Sequence, residues 1–395
     1  MKITIIGIDD NREQFFRPEV LKVLQEGYHF SGGKRHYEII KPYLPSQHEW
    51  IEVVPPMGAL MEQYRQLDDL VVIASCDPLF NGIGETIMRH IPEATVKVYP
   101  SFHSLQMLAH RALLPYQSMH EVTLTGRPWH EFDRALIQRE SMIGLLLDRK
   151  EHTPATVAQR MLDYGYDNYK AYVGELLGNQ EEEWVSELSL SEVAKREFSY
   201  PYNMILVETK PKQKYFGIPD EEFHLLNGRA KMLTKSPIRL LSLSMLELNN
   251  RHVFWDIGSC TGSVSIEAKL QFPHLHMVAF EIRPEGAELL FSNSKKFGTP
   301  GIDFRGGDFC EVEMGDLPKP DCAFIGGHGG KLVEIVQKVW PLLPEKGLLV
   351  FNSVSQESQD LFRVTIEKVS GTIMKEVEIS IDNNNPIRVM KAIKL

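Results

Sequence analysis

Trp255-Asp-Ile-Gly-Ser-Cys-Thr-Gly-Ser-Val-Ser-Ile-Glu-Ala268 is the stretch whose reading decides the fold. A strand-like apolar run reaches Asp256, the chain turns through Gly258 and Gly262, and a helical pattern follows. In open α/β sheets ligands bind outside the carboxyl ends of strands, where a glycine turn lets backbone amides approach them. A second strand, Met277-Val-Ala-Phe-Glu281, ends nineteen residues beyond Gly262. A carboxylate at that place can accept hydrogen bonds from both ribose hydroxyls of a nucleoside.

Outward from this turn, strands and helices alternate. Strand patterns at Val253–Ile257, Met277–Glu281, Ile302–Arg305, Asp321–Ile325 and Gly347–Asn352 are separated by helix patterns at Gly262–Gln271, Pro284–Phe297, Lys331–Leu342 and Gln356–Ser370. That order predicts a parallel, doubly wound sheet. Ile373–Ile381 and Ile387–Ile393 flank Asp382-Asn-Asn-Asn-Pro386 and predict a closing antiparallel hairpin. The first half is also α/β, with strands at Lys2–Gly7, Trp50–Val54, Leu70–Ala74, Thr95–Val98 and Ser141–Leu147. Helices are expected at Met57–Leu67, Gly84–His90, Ser104–Leu113 and Thr153–Asp163. At 395 residues the chain exceeds one ordinary core. A change from the strand Asn203–Val207 to Lys, Pro and Gly residues marks a seam near 208–220. The expected division is therefore 1–208, a connection at 209–220, and 221–395.

Composition narrows the class. With 43% hydrophobic and 24% charged residues the chain reads as an ordinary globular protein. No apolar run of about 18 residues predicts a membrane span. Acidic Asp9 and Asp10 argue against a secretory signal, so a cytoplasmic protein is expected. A formal charge of −10 disfavours nucleic-acid and anionic-membrane partners. Cys76, Cys260, Cys310 and Cys322 are scattered, without a CxxC pair, so no metal site is expected.

Two cofactor classes use a glycine turn of this kind. The dinucleotide pattern GxGxxG fails here, because Gly258 and Gly262 are four apart with Cys260 between them. The D/E-x-G-x-G-x-G pattern of class I methyltransferases matches, except that Cys260 stands at the middle glycine. Gly306-Gly-Asp-Phe309, after the next strand, resembles the place where Asp308 and the amide of Phe309 would read adenine. This favours S-adenosylmethionine, held by Gly258, Ser259, Cys260, Thr261, Gly262, Glu281, Asp308 and Phe309. A glycine turn that binds nothing is the competing reading.

The second half resembles the C-15-methylating, decarboxylating component of the precorrin-6Y C-5,15-methyltransferase family. The motifs are Phe216-Gly-Ile-Pro-Asp-Glu-Glu-Phe223, Thr234-Lys-Ser-Pro-Ile-Arg239, the turn itself, Pro320-Asp-Cys-Ala-Phe-Ile-Gly-Gly-His-Gly-Gly330 and Phe351-Asn-Ser-Val-Ser-Gln-Glu357. The first half is similar to the tetrapyrrole methylase family in its C-5-methylating branch. It does so through Ser31-Gly-Gly-Lys-Arg-His36, Ala74-Ser-Cys-Asp-Pro-Leu-Phe-Asn-Gly-Ile-Gly84 and Pro100-Ser-Phe-His-Ser-Leu-Gln106. Leu124-Thr-Gly-Arg-Pro128, Leu146-Leu-Asp-Arg-Lys-Glu-His-Thr-Pro154 and Glu175-Leu-Leu-Gly-Asn-Gln-Glu-Glu182 extend that likeness. The resemblance implies a two-lobed tetrapyrrole-methylase fold followed by a Rossmann-like class I methyltransferase, with one S-adenosylmethionine site in each.

It further implies methylation of a corrin precursor, precorrin or cobalt-precorrin, at C-5 and C-15, with loss of the C-12 acetate carboxyl. Relatives of both halves associate, so a homo-oligomer is expected. Residues carried over are Gly7, Asp77 and Ser104 for the first cofactor site, Thr234 for the second, and Lys235, Arg239, His328 and Asn352 toward the substrate. Lys34, Arg35, Arg127 and Arg149 fall within first-half motifs and would suit a substrate rich in carboxylates. Departures are Cys76 in the family's SGDP, Ile8-Asp9 after Gly7, Cys260, and His328 where serine is commoner. The alternatives are a methyltransferase with another acceptor, one with only its second site active, and a noncatalytic binding protein.

Overall fold

Strands of the computed structural model, which describes residues 1–229, 232–315, 317–381 and 385–395, gather into three sheets among those residues. β1 (Lys2–Ile8), β2 (His29–Gly32), β3 (Glu49–Glu52), β4 (Asp69–Ser75) and β5 (Thr95–Tyr99) form the first. Its order is β3-β2-β4-β1-β5 and every pairing is parallel. β6 (His120–Thr123), β7 (Met142–Leu146), β8 (Tyr169–Glu175), β9 (Trp184–Ser189) and β10 (Tyr202–Glu208) form the second, ordered β6-β7-β10-β8-β9. Only its β6–β7 pairing is parallel. These ten strands belong to one compact unit, residues 1–127, 141–159 and 169–209.

The second unit comprises residues 128–140, 160–168 and 210–395. It carries β11 (Val253–Ile257), β12 (His276–Glu281), β13 (Ile302–Gly306), β14 (Cys322–Ile325), β15 (Leu348–Ser353), β16 (Gly371–Ile379) and β17 (Ile387–Lys394). Their order is β13-β12-β11-β14-β15-β17-β16, parallel through β15 and then antiparallel. The parallel strands lie between two apolar layers. Trp255, Ile257, Phe280, Ile325 and Phe351 face one, and Phe254, Met277, Phe324 and Val350 face the other. Burial on both faces explains why these strands read as continuous apolar runs.

The doubly wound pattern and the closing hairpin are therefore present as expected from the sequence. Residues Asp382 to Asn384 of the hairpin turn lie outside the described residues. Among the helices that were not foreseen, Pro18–Glu26, Lys34–Ile40, His130–Gln138, Leu190–Val193 and Ser236–Leu246, the last carries Pro237 in its first turn and buries Ile238, Leu243, Met245 and Leu246. Nor is the stretch 209–220 uniformly exposed. Ile218 is wholly buried, and the amides of Gly217 and Ile218 donate to the Glu267 carboxylate at 2.8 and 2.9 Å.

Candidate active sites

At the end of β11 the backbone amides of Gly258 and Ser259 both donate to the Phe280 carbonyl, at 2.9 and 3.0 Å. Gly258 has φ +77°, and a Cβ on it would lie 2.6 Å from the Gly327 carbonyl oxygen. The glycine is required by that approach as well as by its backbone angle. Cys260 also sits in the left-handed region, at φ +49°. That conformation costs an L-residue roughly 1–2 kcal/mol. It aims the Cys260 amide at Glu281 Oε2, 2.8 Å away. Gly262, at φ +72°, opens the helix Ser263–Gln271.

Glu281 is 1% exposed, and its Oε1 accepts both the amide and the Nη1 of Arg283, at 2.9 and 2.8 Å. Asp256 does not face the cavities. It is buried, its Oδ2 accepts the Ser265 hydroxyl at 2.6 Å, and its Oδ1 has no hydrogen-bond partner among the described residues. Burial raises its carboxyl to about 7, against the opposing hydrogen bond from Ser265.

Two cavities adjoin this turn. The smaller, about 150 Å³, is lined by Glu281, Arg283, Asp308, Phe309, Gly327 and His328 among others. The larger, about 490 Å³, is lined by Thr234, Lys235, Cys260, Asn352, Ile379 and Ile387 among others. Gly258, Arg283 and Gly327 line both. Of the residues expected at the cofactor, Gly258, Glu281, Asp308 and Phe309 line the smaller cavity, Thr234, Gly258 and Cys260 line the larger, and Ser259, Thr261 and Gly262 line neither. The Phe309 ring packs edge-on against Phe280 at 4.9 Å, and its carbonyl accepts Lys338 Nζ at 2.8 Å. The Asp308 carboxylate accepts the Cys310 amide at 2.9 Å and pairs with Lys331, whose hydrogen bond holds it below the usual range.

Residues assigned toward the substrate separate in space. Lys235 and Asn352 line the larger cavity; Lys235 lies 3.6 Å from Asp220, and Asn352 bonds the Ser242 hydroxyl at 3.0 Å. His328 lines the smaller cavity, with Glu281 and Asp308, instead. Its Nδ1 accepts the Gly330 amide at 3.2 Å, and burial lowers its pKa, so the ring is neutral near pH 7. Arg239 requires correction. It is wholly buried, donating to Glu267 at 3.3 Å, to the Thr234 carbonyl at 2.8 Å and to the Ile218 carbonyl. A guanidinium so enclosed holds the chain together and cannot meet a ligand. Glu357, in the first turn of the helix Gln356–Lys368, is exposed. Arg283 was missed because nothing marks it except its place two residues after Glu281.

The first unit has its own cavity, about 370 Å³, between the ends of β4 and the helix Ser104–Arg111. Asp77 and Ser104 line it with Cys76, Phe80, His36 and His103. Gly7 stands beneath rather than within it: a Cβ there would lie 1.7 Å from the Cys76 carbonyl. Asp77 Oδ1 accepts the Leu79 amide at 2.9 Å and shapes the loop, as Asp148 shapes its own by accepting three amides. Phe80 and His103 stack at 4.1 Å. His36 accepts the Gly33 amide on Nδ1, so Nε2 carries the proton toward Ser75 Oγ, 2.9 Å away. Burial brings His36 down to about 4. The motif cations do not line it. Arg35 reaches its edge, donating to Ser75 Oγ at 3.5 Å and pairing with Asp10 at 3.7 Å, while Arg149 stacks on Tyr200 and Lys34 and Arg127 are exposed.

The family model described as precorrin methyltransferase domain matches residues 227–394. A precorrin-6Y C(5,15)-methyltransferase (decarboxylating) of Sinorhizobium sp. is 26% identical over 380 residues, 94% of this chain and 89% of that one. A cobalt-precorrin-6B C(15)-methyltransferase (decarboxylating) of Salmonella typhimurium is 34% identical over 168 residues, 42% of this chain and 85% of its own. Among solved structures, a precorrin-6Y C5,15-methyltransferase of Geobacter metallireducens has 31% identity and a TM-score of 0.42, covering 46% of this chain and 98% of that one.

The third sheet, its glycine turn and the buried acid at the end of the adjacent strand define an S-adenosylmethionine-dependent C-methyltransferase. The residues fit that cofactor. In the turn, Ser259 Oγ is buried without a hydrogen-bond partner among the described residues, and Glu281 keeps acceptor capacity on Oε2. More particularly, the chain belongs to the decarboxylating precorrin-6Y C5,15-methyltransferase family of cobalamin biosynthesis.

Proposed function

We propose that each unit carries one methyltransferase site: the first methylates a precorrin or cobalt-precorrin at C-5, and the second methylates C-15 and removes the C-12 acetate carboxyl. Residues 1–208 and 221–395 are read as the two catalytic domains. The observation that carries the reading is the pair of adjoining cavities at the β11 turn, one organised by Glu281 and one wide enough for part of a macrocycle.

S-adenosylmethionine supplies an already activated methyl group, so the chain's contribution is positioning and a water-poor surface. In the second unit Glu281 would take the ribose hydroxyls, and His328, neutral and beside Asp308, would border the base. Lys235 and Asn352 would orient substrate carboxylate and amide-like groups, while Ile379 and Ile387 would cover an apolar ring face. Methylation at a meso carbon exchanges its hydrogen for the methyl group and releases a proton. Loss of carbon dioxide leaves its electron pair to the conjugated ring, and the exocyclic carbon then takes up a proton to become a methyl group. In the first unit Asp77 and Ser104 would hold the cofactor, and Ser75, accepting from His36, would present its hydroxyl proton to the substrate.

Calorimetric titration of the full chain with S-adenosylhomocysteine tests this. Two equivalents are expected, with Glu281→Ala and Asp77→Ala each removing one. A single, Glu281-dependent equivalent would withdraw the C-5 activity, and no binding would end the proposal.

A further inference from the structure

Arg283 is placed to do more than steady Glu281. A carboxylate offers about four lone-pair positions. In Glu281 three are filled: Oε2 by the Cys260 amide, and Oε1 by the amide and by Nη1 of Arg283. A ribose diol binding across both oxygens needs two. Oε2 has one to give, but Oε1 has none until a donor leaves.

The donors are unequal. The Arg283 amide is fixed by the backbone after β12, and the Cys260 amide by the turn. The Arg283 side chain is 43% exposed, and its guanidinium has no second hydrogen-bond or ion-pair partner among the described residues. It is the donor most easily displaced. Arg283 also lines the larger cavity already, beside Gly258, Cys260 and Lys235. Lys235 there is offset by Asp220, 3.6 Å away. A released guanidinium would add an unpaired cation to a cavity whose other walls are largely apolar.

We propose that Arg283 couples the two cavities: a nucleoside diol on Glu281 displaces its guanidinium into the larger cavity, where it takes a carboxylate of the acceptor. The inference rests on the cofactor and acceptor reading above and adds an order to it. Cofactor prepares the site for acceptor, and by linkage acceptor tightens cofactor by the same factor. Arg283 is thus a positioning residue that discriminates for anionic acceptors when cofactor is present.

The test is a thermodynamic cycle on the full chain, with S-adenosylhomocysteine and cobyrinic acid, a polycarboxylate corrin, as probes. The signal followed is the S-adenosylhomocysteine equivalent that Glu281→Ala abolishes. In wild type, each ligand should tighten the other by roughly fivefold or more. In Arg283→Met both ligands should still bind, with a coupling factor near one. Arg283→Lys should restore part of the coupling, since a cation remains but the planar fork does not. Binding of both ligands without coupling in wild type, or full coupling in Arg283→Met, would overturn the switch alone. Absence of a Glu281-dependent equivalent, or of any corrin binding, would overturn the underlying reading and the switch with it.

Discussion

Glu281 and Asp256 are two buried acids at the ends of adjacent strands, and their surroundings give them different work. Glu281 accepts three charge-assisted or backbone hydrogen bonds and lines a cavity. Hydrogen bonds to a charged acceptor contribute about 1.5–3 kcal/mol each. Glu281→Ala should therefore weaken the second-unit S-adenosylhomocysteine equivalent by roughly 100-fold, measured by calorimetry. Asp256 accepts hydrogen bonds from Ser265, whose hydroxyl lies 2.6 Å from Oδ2, and is held up to about 7 by burial. Its folded pKa lies above the unfolded one, so the contribution of its protonated form is complete below about pH 4. That contribution is lost as pH rises through about 7. Asp256→Asn should leave Tm nearly unchanged at pH 4. At pH 8 it should raise stability by up to about 4 kcal/mol, following from the size of the shift. Equal Tm changes at both pH values would refute the assignment.

Close approaches between strand ends set limits on the elements. β1 meets the loop after β4 so tightly that a Cβ on Gly7 would lie 1.7 Å from the Cys76 carbonyl and 2.9 Å from the Ser101 amide. Both neighbours are backbone, so neither can step aside without parting β1 from β4. Gly7→Ala should abolish the first-unit S-adenosylhomocysteine equivalent and spare the Glu281-dependent one. Gly258→Ala makes the mirror prediction for β11. Strain at φ +77° costs roughly 1–2 kcal/mol. The 2.6 Å approach to Gly327 adds to that and disturbs both second-unit cavities. Differential titration of the two variants reads both outcomes in one experiment.

For the molecule as a whole, Arg239 is the tie that closes the second unit. It joins the 218–220 segment, the Thr234 carbonyl and the helix carrying Glu267. Removing one partner of a buried ion pair leaves the other uncompensated, at about 3–5 kcal/mol. Arg239→Met should lower Tm accordingly in thermal melts, and Arg239→Met with Glu267→Gln should recover part of the loss. A variant with unchanged Tm but lost corrin binding would return Arg239 to the substrate.

Much of this was legible in the chain itself. Continuous apolar strands such as Val253–Ile257, broken by Gly258 and Gly262, can only be buried on both faces and turn tightly, so the sheet and its ligand-bearing edge follow from local chemistry. The pairing of Glu281 with that turn follows from one strand–helix–strand spacing. What spacing does not carry is direction. Arg239 reads as a motif cation, and only packing shows it enclosed by Glu267 and two carbonyls. His328 reads as a substrate residue, and only the course of its loop puts it in the smaller cavity with Glu281. Arg283 carries no motif, yet its reach into two cavities is decided by where three loops converge. Periodicity and turn chemistry act over a few neighbouring residues, whereas a side chain's partners are set by segments far apart in the chain that meet only on folding.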